Sequence, residues 1–516
     1  MCSPHEKMNV VMGFQSVNAR CGVHDRWHRR RRRRYLIGTN TCSRRGNLSQ
    51  SHDPCALSMT EMSRALASGD LTARALTEAH LERIERLQPA INCFIAWDAA
   101  DARTAAAQSD RDRSDGRHRG GLQGIPLAHK DVFRRASVPV TSGMRVLDAP
   151  ATDTATVIDR LEQAGAVNLG RLNLDEFAGL GNNEHFGRCI NPWSSRHISG
   201  GSSSGPGAAV AARLAGGALG SDAGGSIRMP AAMCGVVGLK PTFGLVSRYG
   251  NVHTTWSVDC LGPLTRSVED CALVLQAIAG TDPEDPTTAE VEIPDYRRTL
   301  VGDLRGVTVA RATGSVFAAV DDEIAEAMEA ALRELRDLGA QIVDVVVPDV
   351  ERLNDLQQIL TKAERATIYS RALRTRPDEV SFTARSVLYE GFLIPATRYL
   401  EALSLREVLL RDHLAAVHAE ADVLFTPVIA TPVPTVVEIE TVDADELEKT
   451  FTGSAGCVRF ASYLGIPGMS VPCGFTKNGL PTAFQLLGPP FSEDLLFRVG
   501  HAYQRTTDWH RSAPPL

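Results

Sequence analysis

The stretch that decides the fold runs from Gly200 to Ala232 and reads GGSSSGPGAAVAARLAGGALGSDAGGSIRMPAA. Between Gly200 and Ser226, nine glycines and five serines fill 14 of 27 positions, yet the middle, AAVAARLAGGALG, is apolar nearly all round. A flexible linker would bury nothing, so the middle predicts a short helix buried on every side. The flanking glycines predict backbone that turns sharply and comes close to another group.

The second glycine cluster indicates acyl-transfer chemistry. Gly224 and Gly225 directly precede Ser226, so a hydroxyl would lie beside free backbone N–H groups, which is what an oxyanion needs. Two other interpretations are weaker. The GSSSG run centred on Ser203 matches a nucleophile elbow, but no buried strand precedes it. A phosphate loop would need Lys-Ser/Thr after the glycines.

Lys130 is the candidate base for that serine, which is a poor nucleophile without one. The chain has 55 basic residues, of which only six are lysines, and Lys130 lies in the apolar run GIPLAHKDVF. Burial disfavours the charged ammonium and lowers its pKa, and a neutral lysine can accept a proton. Taken alone, Lys130 would more often form a structural ion pair with Asp131 or another acid. The Gly/Ser stretch favours the base.

The alternation of elements predicts an α/β fold. In GVTVA…DDEIAEAMEAALRELRDLGAQIVDVVVP, apolar residues from Ile324 to Leu338 recur at helical spacing, and a strand over 342–347 follows. Another helix is predicted over 71–87, closed by Pro89. Strand–helix–strand order is typical of a sheet with helices on its faces.

Charge and cysteine content exclude several classes of protein. Residues 1–55 carry eleven Lys/Arg against three Asp/Glu, a net charge of +8. Because the whole chain has a net charge of −6, residues 56–516 carry −14. Such an acidic body argues against nucleic-acid binding. The eleven cysteines form no C-x-x-C pair, which predicts reduced thiols and a cytoplasmic protein. No run of 18 apolar residues exists, so no membrane span is expected.

The whole of residues 57–516 resembles the amidase signature family. The Gly/Ser stretch is similar to the family's defining signature, and GIPLAHKDVF to its lysine motif. FGRCINPW, CLGPLTRSVEDCALVLQAIAG and the closing GIPGMSVPCGF are similar to its flanking blocks. The resemblance implies a single large α/β/α domain with a central mixed sheet flanked by helices. Residues 1–56 have no family counterpart and are predicted to be a disordered basic extension.

The resemblance also implies the roles of the site residues. Ser226 would be the nucleophile, Ser202 a bridging serine in a cis peptide, and Lys130 the base. The oxyanion hole would be formed by the amides of Ala223, Gly224, Gly225 and Ser226, and the supporting residues would be Ser203, Asp222 and Arg228. Neither a metal nor an organic cofactor is needed.

The expected function is that of a serine amidohydrolase cleaving the C–N bond of a small or medium amide through an acyl-enzyme. One alternative is a carbamate or ester hydrolase with the same site, and another is the A-type subunit of a tRNA-dependent amidotransferase. The expected partner is a small-molecule amide or carbamate, without nucleic acid or membrane, and the protein is expected to be a monomer or homodimer. The candidate substrate-binding residues are Glu176, Gly179, Tyr389 and Phe392.

Overall fold

Eleven strands form one mixed sheet through the part of the chain that the computed structural model describes, residues 53–145, 149–179, 183–440 and 455–516. These residues belong to a single compact unit, Asp53–Leu516. The strand order is β1-β5-β2-β6-β8-β7-β12-β13-β11-β9-β10, and a separate two-stranded sheet pairs β3 with β4. The predicted α/β architecture with a central mixed sheet is confirmed.

The strands are β1 (Phe94–Trp97), β2 (Pro126–Lys130), β3 (Pro139–Val140), β4 (Ala149–Pro150), β5 (Val167–Leu172), β6 (Gly217–Asp222), β7 (Val237–Lys240), β8 (Cys260–Thr265), β9 (Thr308–Thr313), β10 (Gln341–Val346), β11 (Val423–Pro427), β12 (Gly468–Phe475) and β13 (Pro481–Leu487). β2 runs parallel to β5 on one side and to β6 on the other, whereas β6 is antiparallel to β8. All residues of β2, β6 and β8 are buried, as expected of central strands covered on both faces.

The α-helices are α1 (Met59–Ser68), α2 (Ala73–Ile91), α3 (Ala99–Ser114), α4 (Thr156–Gln163), α5 (Ser204–Ala211), α6 (Arg228–Cys234), α7 (Val268–Ile278), α8 (Ser315–Ala318), α9 (Asp322–Asp337), α10 (Val350–Thr375), α11 (Phe382–Phe392), α12 (Ala396–Ser404), α13 (Arg406–Val417), α14 (Val436–Glu440), α15 (Arg459–Leu464) and α16 (Glu493–Gln504). Short 3-10 turns cover Pro54–Ala56, Glu176–Ala178, Tyr296–Thr299, Pro377–Glu379 and Trp509–Arg511. Within the described ranges, no helix is both long and apolar enough to cross a membrane.

The Gly/Ser stretch contains a buried helix, as predicted, but a shorter one. α5 is buried at every position and ends before Arg213, which has a φ of +60°. The apolar residues that follow form β6, the strand beside β2. A stretch that is apolar all round carries no periodicity, so the sequence pattern could not separate the helix from the strand.

Two other helices were predicted with different success. α9 begins after its cap Asp321 and is followed by β10, so the predicted helix–strand pair is confirmed. The prediction that Pro89 ends α2 is wrong, because the helix continues to Ile91, which is buried, and is capped by Asn92 in a left-handed conformation. Proline removes only one hydrogen bond in the last turn, and burial of Ile91 favours continuing that turn.

The predicted extension falls mostly on residues 1–52, which lie outside the described residues. Its last four residues are described, and they belong to the folded unit. Asp53 caps the Pro54–Ala56 turn through its side chain, and Cys55 is buried. The compact unit therefore includes these last four residues of the predicted extension.

Candidate active site

Lys130 ends β2, an interior strand of the sheet, and its side chain is buried. Its Nζ lies 2.8 Å from Ser202 Oγ and 2.9 Å from Ser221 Oγ. Asp131, the alternative ion-pair partner considered from the sequence, instead pairs with Arg171 at 3.0 Å. Lys130 is thus held by two hydroxyls, a setting that permits the neutral amine.

Ser202 lies directly before α5, and the peptide bond between Gly201 and Ser202 is cis. Its side chain is fully buried beside Lys130. The next residue, Ser203, donates its backbone N–H to the carbonyl oxygen of Ser226 at 3.2 Å. The Ser203 hydroxyl donates to the carbonyl oxygen of Ser221 at 3.3 Å. The two serine-rich segments are therefore joined by direct hydrogen bonds.

Ser226 lies between β6 and α6, on the wall of an open cavity whose empty space, open solvent included, is about 610 Å³. Gly201 and Gly224 lie on the same wall. Ser226 is half-buried, whereas Lys130 and Ser202 are inaccessible. Of these three side chains, that of Ser226 is the one that a molecule in the cavity can reach.

The amides before Ser226 are arranged by the carboxylate of Asp222. Gly225 has a φ of +115°, which only glycine adopts readily, and donates its N–H to Asp222 Oδ1 at 2.7 Å. The N–H of Gly225, one of the predicted oxyanion donors, is therefore not available to an oxyanion, because it is already hydrogen-bonded to Asp222. The amides of Ala223, Gly224 and Ser226 have no hydrogen-bond acceptor among the described residues. These three can still receive an oxyanion.

Asp222 and Arg228 form a fully buried ion pair at 3.0 Å. Arg228 also donates to Ser462 Oγ and Gln485 Oε1, at 2.8 and 3.2 Å. Burial alone would raise the pKa of Asp222, but the charge and hydrogen bonds of Arg228 outweigh it and hold that pKa below its usual range. The pair lies behind the Gly-Gly turn and shapes it.

Electrostatics favour the neutral form of Lys130. Burial lowers the pKa of Lys130, and the charges of Asp259, Asp175 and Asp222 oppose this only in part. Asp259 is itself buried, and burial raises its pKa. Each group thus lies further toward its uncharged form than in water, and the two titrate together.

Helix α10 forms one long wall of the cavity. Gln357, Thr361 and Arg365, spaced four residues apart, line it together with their neighbours Gln358 and Lys362. This spacing places all five on one helical face. Gln357 Nε2 donates to the carbonyl oxygen of Ala223 at 2.7 Å, so α10 directly contacts the turn before Ser226.

Of the four candidate substrate-binding residues, one lines the cavity and three do not. Gly179 lies on the cavity wall, whereas Glu176 is buried and is not on it; burial raises the pKa of Glu176 to about 6. Tyr389 and Phe392 are half exposed, at 49% and 50%, and neither lines the cavity. α11 instead contributes Val387, because residues two and five positions further along a helix point well away from it.

Several residues of the site were not found from the sequence. Ser221 could have been found only by knowing that β6 lies beside β2, because its hydroxyl meets Lys130 across adjacent strands. Asp259, Gln357 and Arg365 lie far along the chain, and no motif indicates them. Only the folded structure brings them to the site.

Comparisons with known proteins find matches along most of the chain. The family model described as Amidase matches residues 75–497. The chain is similar to the A-type subunit of glutamyl-tRNA(Gln) amidotransferase from Thermosynechococcus vestitus, with 37% identity over 88% of this chain and 99% of the relative.

Solved structures show the same fold at similar identity. Peptide amidase from Stenotrophomonas maltophilia superposes with a TM-score of 0.76 and 32% identity, covering 87% of this chain and 96% of that one. A second structure, described as a vestigial protein complex revealing the evolutionary origins of an s-triazine catabolic enzyme, has a TM-score of 0.80 and 33% identity. It covers 87% of this chain and 98% of that one.

Proposed function

The chain belongs to the Amidase family, and from that premise we propose that it cleaves amide C–N bonds with Ser226 as the nucleophile, Ser202 as the proton relay and Lys130 as the base. One observation carries the proposal. Lys130 Nζ lies 2.8 Å from Ser202 Oγ. The neighbouring Ser203 donates its backbone N–H to Ser226, which lines the cavity and whose own amide has no acceptor among the described residues. A hydroxyl, a base and oxyanion donors are the parts that acyl transfer requires.

The first half-reaction forms an ester. Neutral Lys130 takes the proton of Ser202, which takes the proton of Ser226, and Ser226 Oγ attacks the amide carbon. The amides of Ala223, Gly224 and Ser226 would receive the carbonyl oxygen as it becomes negative. When the C–N bond breaks, the proton returns through the same relay to the departing nitrogen, which leaves as an amine or ammonia.

The second half-reaction restores the enzyme. Water attacks the ester carbon and gives a proton to the relay, and Ser226 recovers its hydroxyl proton as the acid leaves. The same steps apply to a carbamate or an ester carbonyl, so these substrates belong in the same test. The buried Asp222–Arg228 pair takes no proton in this scheme and keeps the Gly-Gly turn in place.

A second candidate function is the component of a tRNA-dependent amidotransferase that cleaves an amide and releases ammonia. The observation favouring it is the 37% identity to an A-type subunit of such an enzyme, over 99% of the relative from Thermosynechococcus vestitus. The sequence alone favours a stand-alone hydrolase. The likeness to this relative supports the amidotransferase more strongly. In both functions the chain itself performs the same amide cleavage, and they differ in what accepts the nitrogen.

The decisive experiment compares the purified chain with its Ser226→Ala variant on aliphatic amides, aryl amides, carbamates and glutamine. We expect turnover by the wild type and a loss of at least about a thousandfold in the variant. Turnover of simple amides without other proteins would identify a stand-alone hydrolase. Glutamine cleavage that accelerates only with the other amidotransferase components and Glu-tRNA would identify the second function. Activity retained by Ser226→Ala contradicts both.

A further inference from the structure

The cavity beside Ser226 has a cationic wall. Lys362, Arg365 and Arg459 all line it, against one carboxylate, Asp175. The charge of Lys362 is paired with Glu390 at 2.7 Å, and Arg459 is buried at the base of α15. Arg365 differs from both, because it forms no ion pair with any described carboxylate.

The guanidinium of Arg365 is poorly satisfied. One nitrogen, Nη2, donates to the carbonyl oxygen of Ala178 at 3.3 Å, and the buried Nε–H has no partner in the described part of the chain. A guanidinium has five N–H donors, so the described residues accept only a small part of its donor capacity. Burial lowers the pKa of Arg365, and its interactions with Tyr369 and Asp259 oppose this only in part.

A partly buried cation without an ion pair is costly, and a bound anion reduces that cost. The rest of the wall suits a ligand with a polar end, because Gln357, Gln358 and Thr361 present amide and hydroxyl groups between Arg365 and the Ser226 turn. Eight residues separate Gln357 from Arg365, or about 12 Å along the helix axis. The long, flexible side chain of Arg365 can bring its guanidinium closer to the Ser226 turn than this distance along the helix axis.

We propose that Arg365 binds a carboxylate carried by the substrate, so that the preferred substrates are amides bearing a carboxylate a few bonds away from the scissile carbonyl. This inference rests on the proposed function and specifies its substrate class. The planar guanidinium matches a carboxylate with two parallel hydrogen bonds. Lys362, whose charge Glu390 already balances, contributes less.

The first test compares amide substrates of the same shape that differ only in carrying a carboxylate. Succinamate is compared with 4-methylpentanamide, its neutral isostere, and malonamate and glutaramate vary the distance to the carboxylate. N-butyrylglycine places the carboxylate on the leaving amine instead. We expect the wild type to prefer the best anionic amide about 10- to 100-fold in kcat/KM, mainly through KM. Equal rates on every anionic and neutral pair would overturn the proposal.

The variants identify the residue responsible. In Arg365→Met the ratio of kcat/KM for succinamate to kcat/KM for 4-methylpentanamide should fall toward one, and Arg365→Lys should restore part of that ratio. Lys362→Met, on the same face of α10, is the matched control and should keep most of the preference. If Arg365→Met keeps the full preference, the assignment to Arg365 is wrong.

Binding separates this inference from the proposed chemistry. Succinamate and 4-methylpentanamide are titrated calorimetrically into Ser226→Ala, which cannot form the ester. Succinamate binding at least about tenfold tighter supports the anion site even if no amide were ever cleaved. Ser226-dependent cleavage of neutral amides without an anionic preference would leave the proposed function intact and reject the anion site.

Discussion

Lys130 is bonded to Ser202 and Ser221, and none of the described carboxylates pairs with it directly. A lysine in an ion pair would remain protonated and could not act as a base. The three carboxylates that favour its charge, Asp259, Asp175 and Asp222, act at longer range. The pKa of Lys130 therefore depends on burial, which lowers it, and on these carboxylates, which raise it, so a single substitution can change it.

The activity should rise with pH as Lys130 loses its proton, with the midpoint below the ordinary lysine pKa of 10.5. Asp259 stabilises the ammonium, so Asp259→Asn lowers the pKa of Lys130 further and moves the rising limb to lower pH, by about half a pH unit or more. The measurement is kcat/KM against pH. Asp270→Asn removes a buried carboxyl bonded to Thr60 and serves as the control that should leave the limb unmoved. A shift to higher pH in Asp259→Asn contradicts this role.

At the scale of elements, the segment from β6 to α6 carries most of the site. It holds Ser221 at the strand, Asp222 beneath the turn and Ser226 before the helix. Helix α10 braces this segment from outside through the bond from Gln357 to the Ala223 carbonyl. The position of the oxyanion donors thus depends on a helix that carries none of the proposed triad.

Gln357→Leu tests that brace. It leaves the buried Ala223 carbonyl without its donor, which costs about 1–3 kcal/mol of unfolding free energy. We expect kcat to fall about tenfold, since the neighbouring amides lose their fixed position, and KM to change little. Steady-state kinetics and urea unfolding measure the two effects. Gln358→Leu, on the same cavity wall, is the control, and an equal loss of kcat there would reject the brace.

Gly205 allows α5 to pack closely against the sheet. A Cβ at this position would lie 2.4 Å from the Asn173 carbonyl oxygen and 2.7 Å from that of Cys93, and backbone atoms cannot move aside cheaply. Gly205→Ala should therefore destabilise the protein by about 1–3 kcal/mol or more in urea unfolding. Gly474→Ala meets only side chains, at 3.1 and 3.4 Å, and should stay within about 1 kcal/mol of the wild type. Equal stability of the two variants would show that α5 can shift.

The elements differ in how far the sequence could predict them. The α9–β10 pair was readable because its apolar residues recur at helical spacing and change to a strand pattern after Gly339. The division between α5 and β6 was not, because both are buried on all sides. The serines and the lysine of the site follow from their local setting, whereas Arg365 and Gln357 acquire meaning only once α10 lies over the cavity.

At the scale of the whole molecule, the N-terminal boundary of the folded unit lies at Asp53. The residues just after it are anchored at several points. Asp53 pairs with Arg83 at 3.1 Å, and Arg266, which is buried, donates to the carbonyl oxygen of Ala56 at 2.8 Å. These contacts tie the start of the unit to α2 and to the end of β8.

Two truncations test this boundary. Removing residues 1–52 should leave unfolding free energy within about 0.5 kcal/mol and activity unchanged, because every contact above is kept. Removing residues 1–57 leaves Arg266 without its carbonyl partners and should cost about 1–3 kcal/mol. Urea unfolding of both proteins beside the full chain gives the comparison. A large loss in the shorter truncation would place the true boundary before Asp53.

The placement of the cavity wall on α10 has a consequence for the history and redesign of this enzyme. The proposed catalytic residues lie at the end of β2, just before α5 and in the turn after β6, while five cavity-lining side chains share helix α10. Substitutions at Gln358, Thr361, Lys362 and Arg365 can therefore change which substrates bind in the cavity, while the proposed catalytic residues stay unchanged. A combinatorial library confined to those four codons is the shortest laboratory route to the same diversification.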